Sequence, residues 1–226
     1  MTADDARRTP TSTTATEGRR TPGSTATAEG RRTPTSTAAA DAPDAPTRIL
    51  NSAARLLAER GVARFNLQDV AESAAVSKGL IHYHYHDKDT LLTRLVESLA
   101  AGVVARQAEA LEGAEPATAV DALWTWLRGE LRRGHLRVLQ ELAQEPGALL
   151  RNAIHSAAHQ RRSGAAATLD RLFARLGLRP RVPTQMLAEA VVAFEDGLVL
   201  NAAIQPEQDP RVVFDVFWLA VLGLAE

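Results

Sequence analysis

The sequence predicts an all-α protein: a small three-helix helix-turn-helix unit near the N-terminus, then a larger helical unit. Three observations carry this. Apolar residues recur three and four apart through most of residues 47–226, and no stretch alternates as a strand does. Proline and glycine punctuate the series at Gly113–Pro116, Glu145–Gly147, Gly177–Pro183 and Gln205–Pro210. Residues 65–92 read as two short helices around a tight turn. With 226 residues and 45% hydrophobic content, a core is within reach. The chain has no cysteine, which excludes disulfides and thiolate metal sites. It lacks an apolar run of about 18 residues and an apolar N-terminal signal region. A cytoplasmic protein with no membrane partner is expected. The net charge of −1 is silent about nucleic acid, because a local patch decides that.

Residues 1–46 are predicted to be a disordered, low-complexity tail. Arg-Arg-Thr-Pro recurs at positions 7, 19 and 31, a twelve-residue period, and Pro43-Asp44-Ala45-Pro46 follows. The segment has no Leu, Ile, Val, Phe, Tyr or Trp, so it cannot bury enough surface to offset its ordering entropy. Paired arginines can sample phosphates. Here Asp4, Asp5, Glu17, Glu29, Asp41 and Asp44 balance them, which favours an inert extension.

The second segment, 47–92, is read as the helix-turn-helix domain. Its first helix spans 47–60, with Thr47 as cap, Ile49, Leu50, Ala53, Leu56 and Leu57 on one face, and Gly61 closing it. Phe65 is expected to drop into the small core beneath. Asn66 is the N-cap of the next helix, and Asp69 in its first turn suits the helix dipole. Leu67, Val70, Ala71 and Ala74 give its apolar face. Ala75-Val76-Ser77 is the turn, with Val76 as plug and Ser77 capping a helix from Lys78 to about Tyr85.

The chemistry of this last helix suits a DNA major groove. Leu80 and Ile81 can pack inward. Lys78, Gly79, His82, Tyr83 and His84 lie near its start or on its outer side. The chain's two lysines, Lys78 and Lys88, and its two tyrosines, Tyr83 and Tyr85, all fall within eleven residues. Arg48, Asn66, Gln68, Ser77 and Lys88 complete the candidate DNA-binding set.

Gly61, then Ala74-Ala75-Val76-Ser77-Lys78-Gly79-Leu80-Ile81-His82-Tyr83-His84-Tyr85, then Lys88 and Leu91-Leu92, resemble the DNA-binding domain of the TetR family of bacterial transcription regulators. The resemblance covers about a fifth of the chain. Departures are Asn66 for the Thr cap, Ala75 for the turn glycine and His82 for the usual tyrosine. If the turn requires positive φ at Ala75, alanine costs roughly 1 kcal/mol relative to glycine. In the family the residue at the place of His82 usually touches phosphate.

Residues 93–226 are read as a helical regulatory and dimerisation domain. The helix from Asp87 to about 111 carries Leu91, Leu92, Leu95, Val96 and Leu99 as its stripe and links this domain to the DNA reader. Helices follow at about 116–133, 135–144, 147–176, 184–204 and 209–224. The last two are apolar nearly all round, so each must be buried on more than one side. The resemblance implies that they form a four-helix homodimer interface, with the two recognition helices about 34–36 Å apart on a pseudo-palindromic operator of double-stranded DNA. It also implies a small-molecule effector inside the C-terminal bundle. Candidates are Trp124, Trp126, Gln140, His155, His159, Phe173, Phe194 and Glu195, although core packing is the commoner fate of each tryptophan. Trp124 and Trp126 lie about 200° apart on a helix and cannot both face one cavity. Asp196-Gly197 reads as a close helix crossing.

Two metal readings are weak. On a helix only His82 and His86 of the triplet His82, His84 and His86 share a face. His155 and His159 have zinc-pair spacing, but no third ligand is evident. No metal or cofactor is expected. Catalysis is not expected either: there is no Gly-x-Ser-x-Gly elbow, no phosphate loop and no carboxylate pair in a plausible cleft. The reading is a ligand-responsive regulator, a repressor rather than an activator. The alternatives are a helical adaptor that does not read DNA or, less favoured, an enzyme.

Overall fold

The computed structural model describes residues 43–145 and 147–226. The twelve-residue repeats lie outside these residues. Nine α-helices follow in order among the described residues: α1 (Ala45–Arg60), α2 (Leu67–Ala74), α3 (Lys78–Tyr85), α4 (Lys88–Glu112), α5 (Ala119–Arg133), α6 (His135–Leu142), α7 (Ala148–Leu176), α8 (Thr184–Ile204) and α9 (Arg211–Gly223). No strand occurs among them. One isolated antiparallel bridge pairs Pro180 with Ala225. The all-α reading therefore holds.

The start of α1 differs from expectation. Pro43-Asp44-Ala45-Pro46 is not tail. Asp44 is the N-cap, accepting from the Thr47 N–H at 2.9 Å, and Pro46 stands in the first turn, where its missing N–H costs nothing. Thr47 therefore donates to the cap instead of forming it. Bonds to Thr47 hold the Asp44 carboxyl below its usual range.

Burial does not divide the chain at residue 92. One core gathers α1, α2, α3 and the first half of α4, and it also takes Val138, Leu139 and Leu142 from α6 and Leu150, Ala153 and Ala157 from α7. The second core gathers the end of α4 with α5, the latter part of α7, α8 and α9. The long helices α4 and α7 thus belong to both cores. Their apolar stripes run past the first core, so the helix-turn-helix and the bundle share them, and α6 too gives Leu136 to the second core.

The α4–α7 crossing is close at Gly164, where a Cβ would lie 2.6 Å and 3.0 Å from the two methyls of Val104. Gly164→Ala should lower stability by about 1 kcal/mol, overpacking outweighing the gain in helix propensity. An unchanged or raised denaturation midpoint would show that the crossing can open at no cost.

One side of α8 and α9 faces inward, through Leu187, Val191, Val192, Leu198 and Val199, and through Phe214, Trp218 and Val221. The other side is apolar and exposed. Met186, Leu200 and Ile204 on α8 and Val212, Val213, Val216 and Leu219 on α9 are each more than half accessible in the single chain. Among the described residues no helix is long and apolar enough to cross a membrane.

Candidate nucleic-acid interface

The helix-turn-helix is fixed by local caps. Asn66 accepts from the Asp69 N–H at 2.9 Å and starts α2. Ser77 accepts from the Leu80 N–H at 3.1 Å and starts α3. Asp87 accepts from the Thr90 N–H at 2.7 Å and starts α4. Between α2 and α3, Ala75 is left-handed (φ 52°, ψ 50°), so the turn does require positive φ where the family favours glycine. Ala75→Gly is expected to raise stability by ~0.5–1 kcal/mol, since relief of αL strain exceeds the added unfolded-state entropy. A lowered midpoint in denaturant would show the turn to be unstrained.

A second sharp turn follows α3. His86 has φ 59° and ψ −55°, and the Asp87 N–H donates to the Tyr85 carbonyl at 2.6 Å, a γ-turn of the rare positive-φ kind. It folds the chain directly from α3 into α4. Tyr85 itself is buried, and its hydroxyl donates to the Pro46 carbonyl at 3.0 Å. This ties α3 to the start of α1. Sequence reasoning placed no role on Tyr85; its spacing from Ile81, i to i+4, was the available signal.

The ten candidate DNA-binding residues separate into two groups. Lys78, Gly79, His82 and Tyr83 are exposed on α3 at i, i+4 spacing, and α3 contains no acidic residue. Lys78 makes no ion pair among the described residues, and Tyr83 is 76% exposed. The His82 Nδ1 lies 2.8 Å from the His86 carbonyl, so Nδ1 carries the proton and Nε2 is the outward atom. Ser77 has a hydroxyl proton left to donate, and Asn66 its amide N–H groups.

The others are engaged within the fold. Arg48 does not reach outward as a free cation: its Nε donates to the Ala74 carbonyl at 3.3 Å and its Nη1 to the Pro43 carbonyl at 3.2 Å. The guanidinium braces α1 against the end of α2. Lys88 donates to the Phe65 carbonyl at 3.4 Å and stands 5.4 Å from the centre of the Phe65 ring. Gln68 donates to Glu72 at 2.9 Å. His84 is half-buried between Tyr83 and Tyr85. The triplet His82, His84 and His86 does not share a face: His86 lies beyond the helix end.

The eight ligand-pocket candidates do not converge on one cavity. Trp124 packs on Phe214, ring centres 5.1 Å apart, and Phe173 is fully buried core. Trp126 is buried on the other side of α5, beside Arg106 and Arg133. Phe194 stacks on Phe217 at 3.9 Å. His155 and His159 are exposed on α7. Gln140 and Glu195 join a buried polar cluster: Gln140 donates to the Asp196 carbonyl at 3.1 Å, and Gln107 donates to Glu195 at 3.2 Å. Aromatic and polar residues in apolar runs marked packing here, as the common case predicts.

Comparison with known proteins agrees with this geometry. The profile of the family described as bacterial regulatory proteins, tetR family, matches residues 49–95. The HTH-type transcriptional regulator TtgR of Pseudomonas putida is 42% identical over 52 residues, 23% of this chain and 25% of TtgR. The chain thus spans about a quarter of the length of the first curated relatives it matches. Over the whole fold, a transcriptional regulator from Rhodococcus sp. Rha1 superposes with a TM-score of 0.64 at 24% identity, covering 80% of this chain and 98% of that one. SmeT, solved as a complex with triclosan, gives 0.57 at 19% identity over 78% and 90%. The caps, the left-handed turn and the exposed face of α3 lie inside the matched segment, and over residues 49–95 the chain is similar to the tetR family of bacterial regulatory proteins.

Proposed function

We propose that the chain is a DNA-binding transcriptional regulator, a repressor that leaves its operator when a small molecule binds. The observation that carries this is α3: capped by Ser77, free of acids, and presenting Lys78, Gly79, His82 and Tyr83 together. Lysine supplies phosphate contact, Tyr83 a groove contact, and Gly79 close approach of the backbone. Such a regulator works in the cytoplasm, on the chromosome.

A homodimer through α8 and α9 is part of the proposal. The exposed valines and leucines of these helices form an apolar patch that a lone chain leaves in water. A two-fold pair covers it and sets two α3 helices on successive turns of a pseudo-palindromic operator. The effector part rests on the family and on SmeT, which was solved with triclosan. Because α4 and α7 serve both cores, a change in the bundle is transmitted to the helix-turn-helix through both, not through α4 alone.

The test is protection of intergenic duplexes from the chain's own locus, with gel shifts over a range of salt. A regulator protects two half-sites one helical turn apart and shows steep salt dependence with sequence preference. An adaptor or an enzyme shows neither. A chain that sediments as a monomer at micromolar concentration would refute the dimer.

A further inference from the structure

A cleft of about 660 Å³ lies between α1, the α5–α6 corner and the end of α8. It is separate from the α3 face and from the buried candidates inside the bundle. Its volume falls in the range of organic ligand sites. Its walls are apolar: Ala54 and Ala58 from α1, Leu131 and Leu136 from the corner, Val199 and Ala202 from α8.

Its charged lining is mostly basic. Arg55, Arg132, Arg133 and Arg137 stand against two carboxylates, Glu59 and Glu130. Both carboxylates are already answered. Glu130 has no exposed surface and receives two bonds from Arg106, at 2.6 Å and 2.9 Å, and one from Arg133 at 3.2 Å. Glu59 pairs with Arg55 at 3.6 Å. Arg55 and Arg133 are partners of these two carboxylates and Arg137 pairs with Glu141 at 3.7 Å, so Arg132 is the lining guanidinium with no ion pair among the described residues. His135 adds a neutral donor. Its Nδ1 accepts from Arg106 at 3.3 Å, which puts the ring proton on Nε2, and burial holds its pKa down. The first turn of α6 also meets this corner without a side-chain cap.

From this cavity and its charge we infer a binding site for an amphipathic organic anion, a single carboxylate on an apolar body of roughly ten to fifteen heavy atoms. The body lies on the alanine and leucine walls, and the carboxylate faces Arg132 and its neighbours. The site deepens the effector reading above and rests on it only for its consequence. Gly134, whose Cβ would lie 3.2 Å from that of Ala58, and Arg137, which donates to the Ala58 carbonyl, hold the corner against α1. A molecule seated here touches the DNA-reading unit and the α8 helix at once.

The probe is 2-naphthoate, with neutral 2-naphthamide as control, titrated calorimetrically into the full chain without DNA. Naphthoate should bind at one per chain, with naphthamide at least about tenfold weaker. Arg132→Glu, on an exposed residue, should weaken naphthoate about tenfold, and Arg132→Gln by less. Ala202→Trp, which fills the cleft, should abolish binding. Both effects count only in variants with the parent's unfolding midpoint, and Arg132→Gln serves if the others fail to fold. Absence of naphthoate binding, equal affinity for the amide, or indifference to these substitutions would overturn the site. A chain that binds no DNA would instead overturn the regulator reading and leave this titration standing.

Discussion

Arg161→Leu should destabilise the chain by about 3–5 kcal/mol, the largest effect expected of any single substitution here. Arg161 lies on α7 with its side chain 8% exposed. Its Nη2 donates to Glu195 at 3.2 Å and its Nη1 to Asp196 at 2.8 Å. One guanidinium therefore serves two consecutive carboxylates of α8. Gln107 of α4 and Gln140 of α6 bond to the same pair of residues, so four helices meet at this cluster. Without the arginine, Glu195 keeps its burial and loses its counter-ion, and that combination is what makes the loss large. Among the described residues the Arg161 Nε has no hydrogen-bond partner, so the cluster is not fully satisfied there even in the parent.

The same cluster sets a pH dependence. Burial pushes Glu195 from 4.5 up to about 7, against the pull of Arg161. The folded state thus holds this proton more tightly than the unfolded chain. Stability from this group is greatest below about 4.5, falls as pH rises from there to about 7, and is flat above. The whole change is about 3 kcal/mol. Glu195→Gln, which keeps an acceptor, should flatten that slope. Arg161→Leu should extend it above pH 7, because Glu195 then resists ionisation further. Denaturant midpoints at a series of pH values measure both. An arginine loss of under ~1 kcal/mol at neutral pH would mean that the cluster is solvated in solution.

What the sequence made legible was what chemistry keeps local. Asn66, Ser77 and Asp87 cap the helices that follow because a cap bonds only three residues on. Ala75 stood out because glycine usually holds that place, and its φ of 52° shows why. Asp44 was hidden by its setting: it sits between two prolines at the end of an apolar-poor segment, and only Pro46 in the first turn betrays a helix start. Contacts across the chain were not legible. Arg48 meets Ala74, and Lys88 meets Phe65, at separations of 26 and 23 residues. Nothing in residue type distinguishes a cation that braces a fold from one that waits for phosphate. Which core each half of α7 joins was hidden for the same reason. An apolar stripe shows that a face of α7 is buried, not which core it enters. The eight pocket candidates were selected by side-chain type, which core packing and ligand contact share.

Lys78→Ala and Tyr83→Ala should each weaken specific DNA binding by about 1–3 kcal/mol, roughly ten- to a hundredfold, without a matching loss of stability. Both side chains lie outside the core: Lys78 is exposed and unpaired among the described residues, and Tyr83 is 76% exposed. Removing them takes nothing from the packing of α3, which depends on Ile81 and Tyr85. The two losses should differ in kind. Lys78 carries charge, so its loss should reduce the salt dependence of binding by about one counterion per chain. Tyr83 is neutral, so its loss should leave the salt slope intact and narrow the gap between operator and unrelated duplex. Arg48→Ala supplies the contrast. Its guanidinium bonds to the Ala74 and Pro43 carbonyls, so it should lower the unfolding midpoint, with loss of DNA binding following from that. If the doubly substituted Lys78→Ala, Tyr83→Ala protein holds the operator as tightly as the parent, α3 is not the reading helix. If Arg48→Ala changes the salt slope but not the midpoint, the brace is a phosphate contact after all.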